Sequence, residues 1–329
     1  MKAFSIYLVV LLTGLLLFMG CAKQTPMAST LPQGEIITNN INSAVGSDET
    51  KYVTLYYVTQ QGGYLVPVNQ KLCNTERPVR VALERLIAGA AAGEGLIAPI
   101  PPETKVRDLY LREGTAYVDL NEEFARKLGP VRLQARWAVE TLVQTLTEFP
   151  EVERVQLLID GKVREELAEG VEIGIPLERQ PWLNPISQEP GEAMVVLYFD
   201  YQGRYLVPVS KGVRDFSRSL SQLTVEEIIK GPGDLVGLEP VIPAGVTLGS
   251  YEVKEGTASI ELILGEEVAA DTTWDETKAL KALLYSLMEF PHIQNVKLLI
   301  KDRGNGILPG AVEIDDMRCR VPVVNAVGE

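Results

Sequence analysis

The sequence predicts an α/β (α+β) chain: two tandem small domains, each a mixed or antiparallel sheet with two helices on one face. Three observations predict it. Blocks of sequence recur at a near-constant offset, so that Tyr64-Leu65-Val66-Pro67-Val68 returns as Tyr205-Leu206-Val207-Pro208-Val209 and Glu148-Phe149-Pro150 as Glu289-Phe290-Pro291. Within each unit the hydrophobic pattern alternates between period two and period 3.6, the periods of strand and helix. A length of 329 residues, with 46% hydrophobic and 23% charged, suits about two ordinary globular domains.

The elements follow in order. Lys2 and an uncharged run from Phe4 to Phe18 lead to Met19-Gly20-Cys21, which reads as a signal peptide over 1–20. The run is short for a spanning helix, and no later segment is long and apolar enough to span. Leu17-Phe18-Met19-Gly20-Cys21 resembles a bacterial lipobox: Gly20-Cys21 is the expected cleavage site and Cys21 the expected lipidation site. It departs from the usual pattern at Phe18 and Met19. Residues 21–50 are polar, rich in Ser, Thr, Asn and Gln, and read as a flexible tether spanning roughly 30 Å.

In the first domain, 51–180, Val53 to Val58 and Gly63 to Val68 form an expected hairpin around Thr59-Gln60-Gln61-Gly62. Thr75 can cap a helix running to about Ala88, with Val79, Leu83, Leu86 and Ile87 on one stripe and glycines after it. Val106 to Leu111 and Thr115 to Leu120, joined at Glu113-Gly114, make a second hairpin with Ala116, Val118 and Leu120 facing one way. A longer amphipathic helix from Val131 to Phe149 is stopped by Pro150, and Val155 to Ile159 follows as a strand. Pro-rich residues 181–192 read as a short, stiff linker. The second domain, 193–325, keeps the core: Ala258, Ile260 and Leu262 match the inward strand face, and Ala279, Leu280, Leu283, Leu284 and Leu287 the long helix. Exposed positions differ between copies, as where Trp137 meets Lys278.

The stretches TLYY…GGYLVPV and VLYFDYQGRYLVPV, ALERLIAG and EEIIKGP, GTAYVDL, and ARWAVETLVQTLTEFPEVERVQLLIDG together resemble the GerMN domain family of sporulation and germination lipoproteins. The resemblance covers 51 to 323 and includes the paired layout behind a lipobox and tether; the second copy departs at GTASIEL and lacks the ARWA entry to its long helix. It implies an α/β domain similar to the ring-building folds of secretion systems. It also implies a lipid-anchored protein on the extracytoplasmic face of the cell membrane, between mother cell and forespore, beside the channel complex joining them.

Chemistry is sparse. A net charge of −13 argues against nucleic acid as a partner. The one histidine, His292, follows Phe290-Pro291 at a helix end and reads as a loop or capping residue. No GxSxG, GxxxxGK[ST] or HExxH occurs. The Gly89 to Gly95 stretch reads as a helix stop. Asp119, Glu122 and Glu123 read as a solvated strand end, since Asp119 becomes Glu261 in the second copy, an exchange that catalytic reach does not tolerate. Asp160-Gly161 and Asp302-Arg303-Gly304-Asn305-Gly306 read as turns. Cys73 and Cys319 show no metal spacing, and their pairing stays open. Trp137 reads as packing on its helix and as a candidate docking surface.

The expectation is therefore no enzyme, no cofactor and no metal. The leading reading is a membrane-anchored assembly factor whose partners are other envelope or sporulation proteins or a second copy of itself. The alternative is a module that binds peptidoglycan or assists a wall hydrolase, which predicts a groove lined by aromatic and polar residues. A solute receptor, with larger lobes of doubly wound sheet around a cleft, fits less well.

Overall fold

A computed structural model describes residues 51–72, 77–89, 92–187, 192–215, 217–265, 274–302 and 324–326. Gly20, Cys21, the tether, Cys73, Thr75, Cys319 and most of the 302–306 turn lie outside the described residues.

The first copy runs β1 (Lys51–Thr59), β2 (Leu65–Leu72), α1 (Pro78–Ala88), β3 (Leu96–Ile97), β4 (Val106–Arg112), β5 (Thr115–Leu120), α2 (Glu122–Leu128), α3 (Arg132–Leu146), β6 (Arg154–Ile159), β7 (Glu166–Ala168), β8 (Val171–Glu172) and β9 (Leu177–Glu178). The join contributes β10 (Pro185–Ser187). The second copy runs β11 (Ala193–Tyr201), β12 (Tyr205–Val213), α4 (Leu220–Lys230), β13 (Leu238–Glu239), β14 (Thr247–Lys254), β15 (Thr257–Leu264), α5 (Glu276–Met288) and β16 (Asn295–Asp302).

The expected α/β character holds, and the strands of each copy divide between two principal sheets. In the first copy these are β2-β1-β3 and β4-β5-β6-β9, with β7 and β8 as a small separate pair; in the second they are β10-β12-β11-β13 and β14-β15-β16. The helices lie between the sheets, with α3 packed on β1 and against β6 and with α5 on β11 and β16. The tight hairpins follow from residues that tolerate positive φ: Glu113-Gly114 and Glu255-Gly256 each supply two such residues, as a two-residue turn requires, and Gln202-Gly203 do so within a three-residue loop closed by Arg204. The β5-to-β6 and β15-to-β16 pairings are parallel, which is why a helix must cross over between them.

Along β5, Ala116, Val118 and Leu120 are fully buried, as the alternation predicts. Beyond them α3 buries Ala135, Ala138, Val139, Leu142, Val143 and Leu146. Two local expectations change. Helix α1 starts at Pro78, whose missing N–H suits a first turn, with Arg77 in the cap position and making no side-chain cap bond. Helix α2 was unexpected, although Asn121 before Glu122-Glu123, with Arg126-Lys127 in the last turn, has the charge order of a short helix.

Strands β1 and β11 are buried on both faces, where an antiparallel strand commonly alternates. One face takes the helices of the same copy, and the sheets of the two copies meet where β2 lies against β12, within one compact unit spanning Glu49–Glu329. The contact has a local two-fold character. Asn184, in the join, accepts through Oδ1 from the Leu65 N–H (2.8 Å) and donates through Nδ2 to the carbonyls of Leu65 (2.8 Å) and Pro208 (2.7 Å). Asn325 does the same in reverse, accepting from the Leu206 N–H (2.7 Å) and donating to the carbonyls of Leu206 and Pro67 (both 2.9 Å). Next to each, the Ser210 N–H donates to Leu183 O (3.0 Å) and the Asn69 N–H to Val324 O (3.2 Å). Each copy's trailing segment thus clasps the other copy. Both asparagines have positive φ, 47° and 54°, a conformation that Asn tolerates better than most residues. The fully buried Tyr201 adds a further tie, its hydroxyl accepting from Gln61 N–H (3.2 Å) and donating to Gly95 O (3.1 Å).

Candidate functional site

Each copy carries a groove between its first hairpin turn, one face of its long helix and the segment holding its clamp asparagine. The first-copy groove has a volume of about 710 Å³. Its aromatic wall is Trp137, half-buried on α3, whose ring lies so close to Gly63 that a Cβ there would stand 2.7 Å from it. Gly63 also has φ 67°, so both space and backbone require glycine at that position. Trp182, 37% exposed, comes from the join, and Leu133, 53% exposed, from the start of α3. On the rim Arg136 pairs with Glu140 at 2.6 Å, one helical turn apart. At the floor lies Gln144, 1% exposed: its Nε2 donates to Gln180 O (3.1 Å), and its Oε1 is buried with no hydrogen-bond partner.

The second-copy groove is smaller, about 310 Å³. Lys278 stands where the first copy has Trp137 and donates to Asp200 Oδ2 (3.1 Å) and Gly203 O (3.3 Å). Tyr285 stands where the first copy has the Gln144 amide. The Trp137-to-Lys278 difference is thus not a free surface exchange, because each residue is built into its own groove. Trp137 packs on its helix and also lines an accessible cleft.

The repeated Glu-Phe-Pro motif contributes to a polar cluster between the copies. Tyr56 donates to Glu148 Oε1 (2.7 Å), while Arg179 reaches Tyr56 OH (2.8 Å) and Glu148 Oε1 (2.6 Å) and lies over the Tyr56 ring. Burial, then the Glu148 carboxylate, push the Tyr56 phenol far above its ordinary pKa, so it remains a donor. The second-copy counterpart Tyr198 is likewise raised, by burial and then by Glu289. Thr145 Oγ1 and Ser286 Oγ accept the backbone N–H groups of these two tyrosines at 3.1 and 3.2 Å, tying each long helix to its strand.

The carboxylates singled out in sequence do not converge. Asp119 Oδ1 accepts from Gly161 N–H (2.8 Å), Glu122 pairs with Arg164, Glu123 pairs with Arg126, and Glu261 accepts from Lys301 (2.7 Å). Asp160 and Gly161 both have positive φ and form the expected turn, and Gly89 ends α1 in a left-handed conformation. His292 is exposed and tilts against Phe290, ring centroids 6.0 Å apart. Among the described residues no group of three or more His, Cys, Asp or Glu is placed to hold a metal ion.

Comparison with known proteins gives these features a context. A family model described as "Germane: Sporulation and spore germination" matches residues 54–165 and again residues 196–304. The chain belongs to the Germane family. Its two matched spans are the two copies recognised as a repeat. Spore germination protein GerM of Bacillus subtilis (strain 168) is 24% identical over 262 residues, which is 75% of this chain and 71% of that protein. The tandem GerMN domains of the sporulation protein GerM from Bacillus subtilis match with a TM-score of 0.55 at 22% identity, over 79% of this chain and 96% of theirs. That likeness establishes the fold expected from the GerMN resemblance.

Within this Germane pair, sequence reading missed Trp182, Gln144, Arg179 and both clamp asparagines. A signal existed for the asparagines: Val171-Glu172-Ile173, Arg179, Pro181 and Asn184 return at an offset of 141 as Val312-Glu313-Ile314, Arg320, Pro322 and Asn325. No signal distinguishes Gln144 from any other polar residue on an inward helix stripe.

Proposed function

We propose that this chain is a non-catalytic lipoprotein, anchored through Cys21 on the extracytoplasmic face of the membrane. In this reading it acts in sporulation and germination as a structural assembly factor, docking envelope proteins at the channel complex between mother cell and forespore. The observation that carries the reading is the Germane match in both copies, joined to a fold whose recurring polar residues hold the two copies together. Asn184, Asn325, Glu148 and Tyr56 make structural hydrogen bonds, and the strand-end carboxylates sit in dispersed ion pairs. A rigid pair of domains presents fixed surfaces, which lowers the ordering cost of docking. One such surface is the outer face of β4 and β5, where Tyr110 (47% exposed) stacks on its cross-strand partner Tyr117, ring centroids 4.8 Å apart. Among the described residues, strand β4 also leaves one edge of its sheet open to pairing.

The test is affinity capture of the tagged full chain from sporulating cells after cross-linking, beside a variant carrying Tyr110→Ser and Tyr117→Ser. Recovery of channel subunits with the wild-type chain and their loss with the variant supports docking through this face. Recovery of no envelope protein above the untagged control contradicts the proposal.

A further inference from the structure

The geometry points to the first-copy groove as a binding site for a glycan of N-acetylated hexosamine units. This goes beyond the assembly reading and stands on separate observations.

The first is the orphan acceptor. A buried polar atom without a partner costs about 1–3 kcal/mol, and Gln144, which lines the groove, carries such an atom in Oε1, reached from the groove by a small shift of its side chain. It calls for a ligand that donates a hydrogen bond from an otherwise apolar surface. The second is the aromatic wall. Trp137 and Gln144 are seven residues apart on α3, hence on one face and about 10 Å apart along the helix, and Trp182 adds a second indole. The C–H faces of a sugar ring stack on indoles, and its acetamido group supplies an N–H donor next to a methyl.

The third observation is charge. Arg136 and Glu140 neutralise each other on the rim and Glu178 leaves the lining with one carboxylate in excess, so the groove does not select a polyanion. A proline-rich peptide would also stack on tryptophan, but proline has no N–H to give Gln144. The second copy supplies an internal contrast, because Lys278 with its Asp200 partner and Tyr285 replace Trp137 and Gln144 in a groove of less than half the volume. The binding function belongs to the first copy alone.

The experiment titrates the full chain, purified in detergent, with the soluble tetramer of N-acetylglucosamine. Heat is recorded, together with the indole N–H signals of Trp137, Trp182 and Trp274. Trp274 already donates to Val241 O (3.0 Å) in the second copy and serves as the reference. The expected result is saturable binding that shifts Trp137 and Trp182 and leaves Trp274 in place. Trp137→Lys, which installs the residue the second copy carries, and Gln144→Met should each weaken binding at least tenfold.

Pull-down on purified peptidoglycan then separates wall glycan from free oligosaccharide as the source: retention lost in both variants assigns the wall, and retention unchanged by them overturns the site for that source. If a variant fails to fold by circular dichroism, the indole shifts of the wild-type chain decide. Overturning results are no saturable binding at millimolar tetramer, binding that both folded variants retain, or indole shifts produced by a proline-rich peptide and not by the glycan.

Discussion

Replacing Asn184 with Ala probes the clamp that makes two domains one body. The substitution deletes three hydrogen bonds, to Leu65 N–H, Leu65 O and Pro208 O, all at 2.7–2.8 Å and all part-buried. At a net contribution of about 1 kcal/mol each, their loss costs about 3 kcal/mol. Alanine at φ 47° adds roughly 1 kcal/mol of backbone strain that asparagine bears more easily. The expected destabilisation is therefore about 3–5 kcal/mol, read as a lower urea midpoint at unchanged slope. Asn184→Gly separates the two parts, because it relieves the strain and keeps the hydrogen-bond loss. Asn184→Ala with Asn325→Ala should fall short of additivity, since both act on the facing strands β2 and β12. A loss below about 1 kcal/mol for Asn184→Ala, set against this same tally, would refute the clamp as a principal tie between the copies.

Three further outcomes follow from the same geometry. Lys278→Met leaves Asp200, 6% exposed, without its cation and, among the described residues, with Gly203 N–H as its donor; thermal unfolding should show a loss of roughly 2–3 kcal/mol. Leu142→Ala, fully buried on α3, should cost about 2–5 kcal/mol and lower the melting temperature without altering the groove rim. Glu227 is buried; desolvation alone would raise its pKa, but hydrogen bonds and charge from Lys211 and Lys230 outweigh that and hold it below the usual carboxylate range. Its contribution is then present above the ordinary carboxylate pKa and lost as pH falls through the lowered one, so Glu227→Gln should flatten the acid side of a stability–pH curve.

The repeat and the strand and helix periods were legible because each is a local or self-similar property of the chain. The duplication placed core on core: Leu142 and Leu283 are both fully buried, as are Ala116 and Ala258. The division of each copy into two sheets was not legible, because period two marks a strand and not its sheet. Burial of β1 on both faces hints at a cover on the far side, but sequence alone does not show β2 lying against β12. The groove was half legible. Trp137 stood out by residue type, while Trp182 lay in a Pro-rich join and Gln144 in a helix stripe, and only the fold brings them to one cleft. The asparagine clamp is the clearest loss: two short polar side chains in turns carry no periodicity, and their role arises from pairing across the repeat.

The central claim is that a lipid-anchored, non-catalytic pair of Germane domains supports spore formation. The most direct measurement is the count of heat-resistant spores from cells lacking this gene, complemented with the wild-type chain, with Cys21→Ala or with Asn184→Ala. The account predicts a large drop on deletion, restored by the wild-type chain and not by Cys21→Ala, with Asn184→Ala intermediate. Normal spore numbers and normal germination in the deleted strain would contradict it.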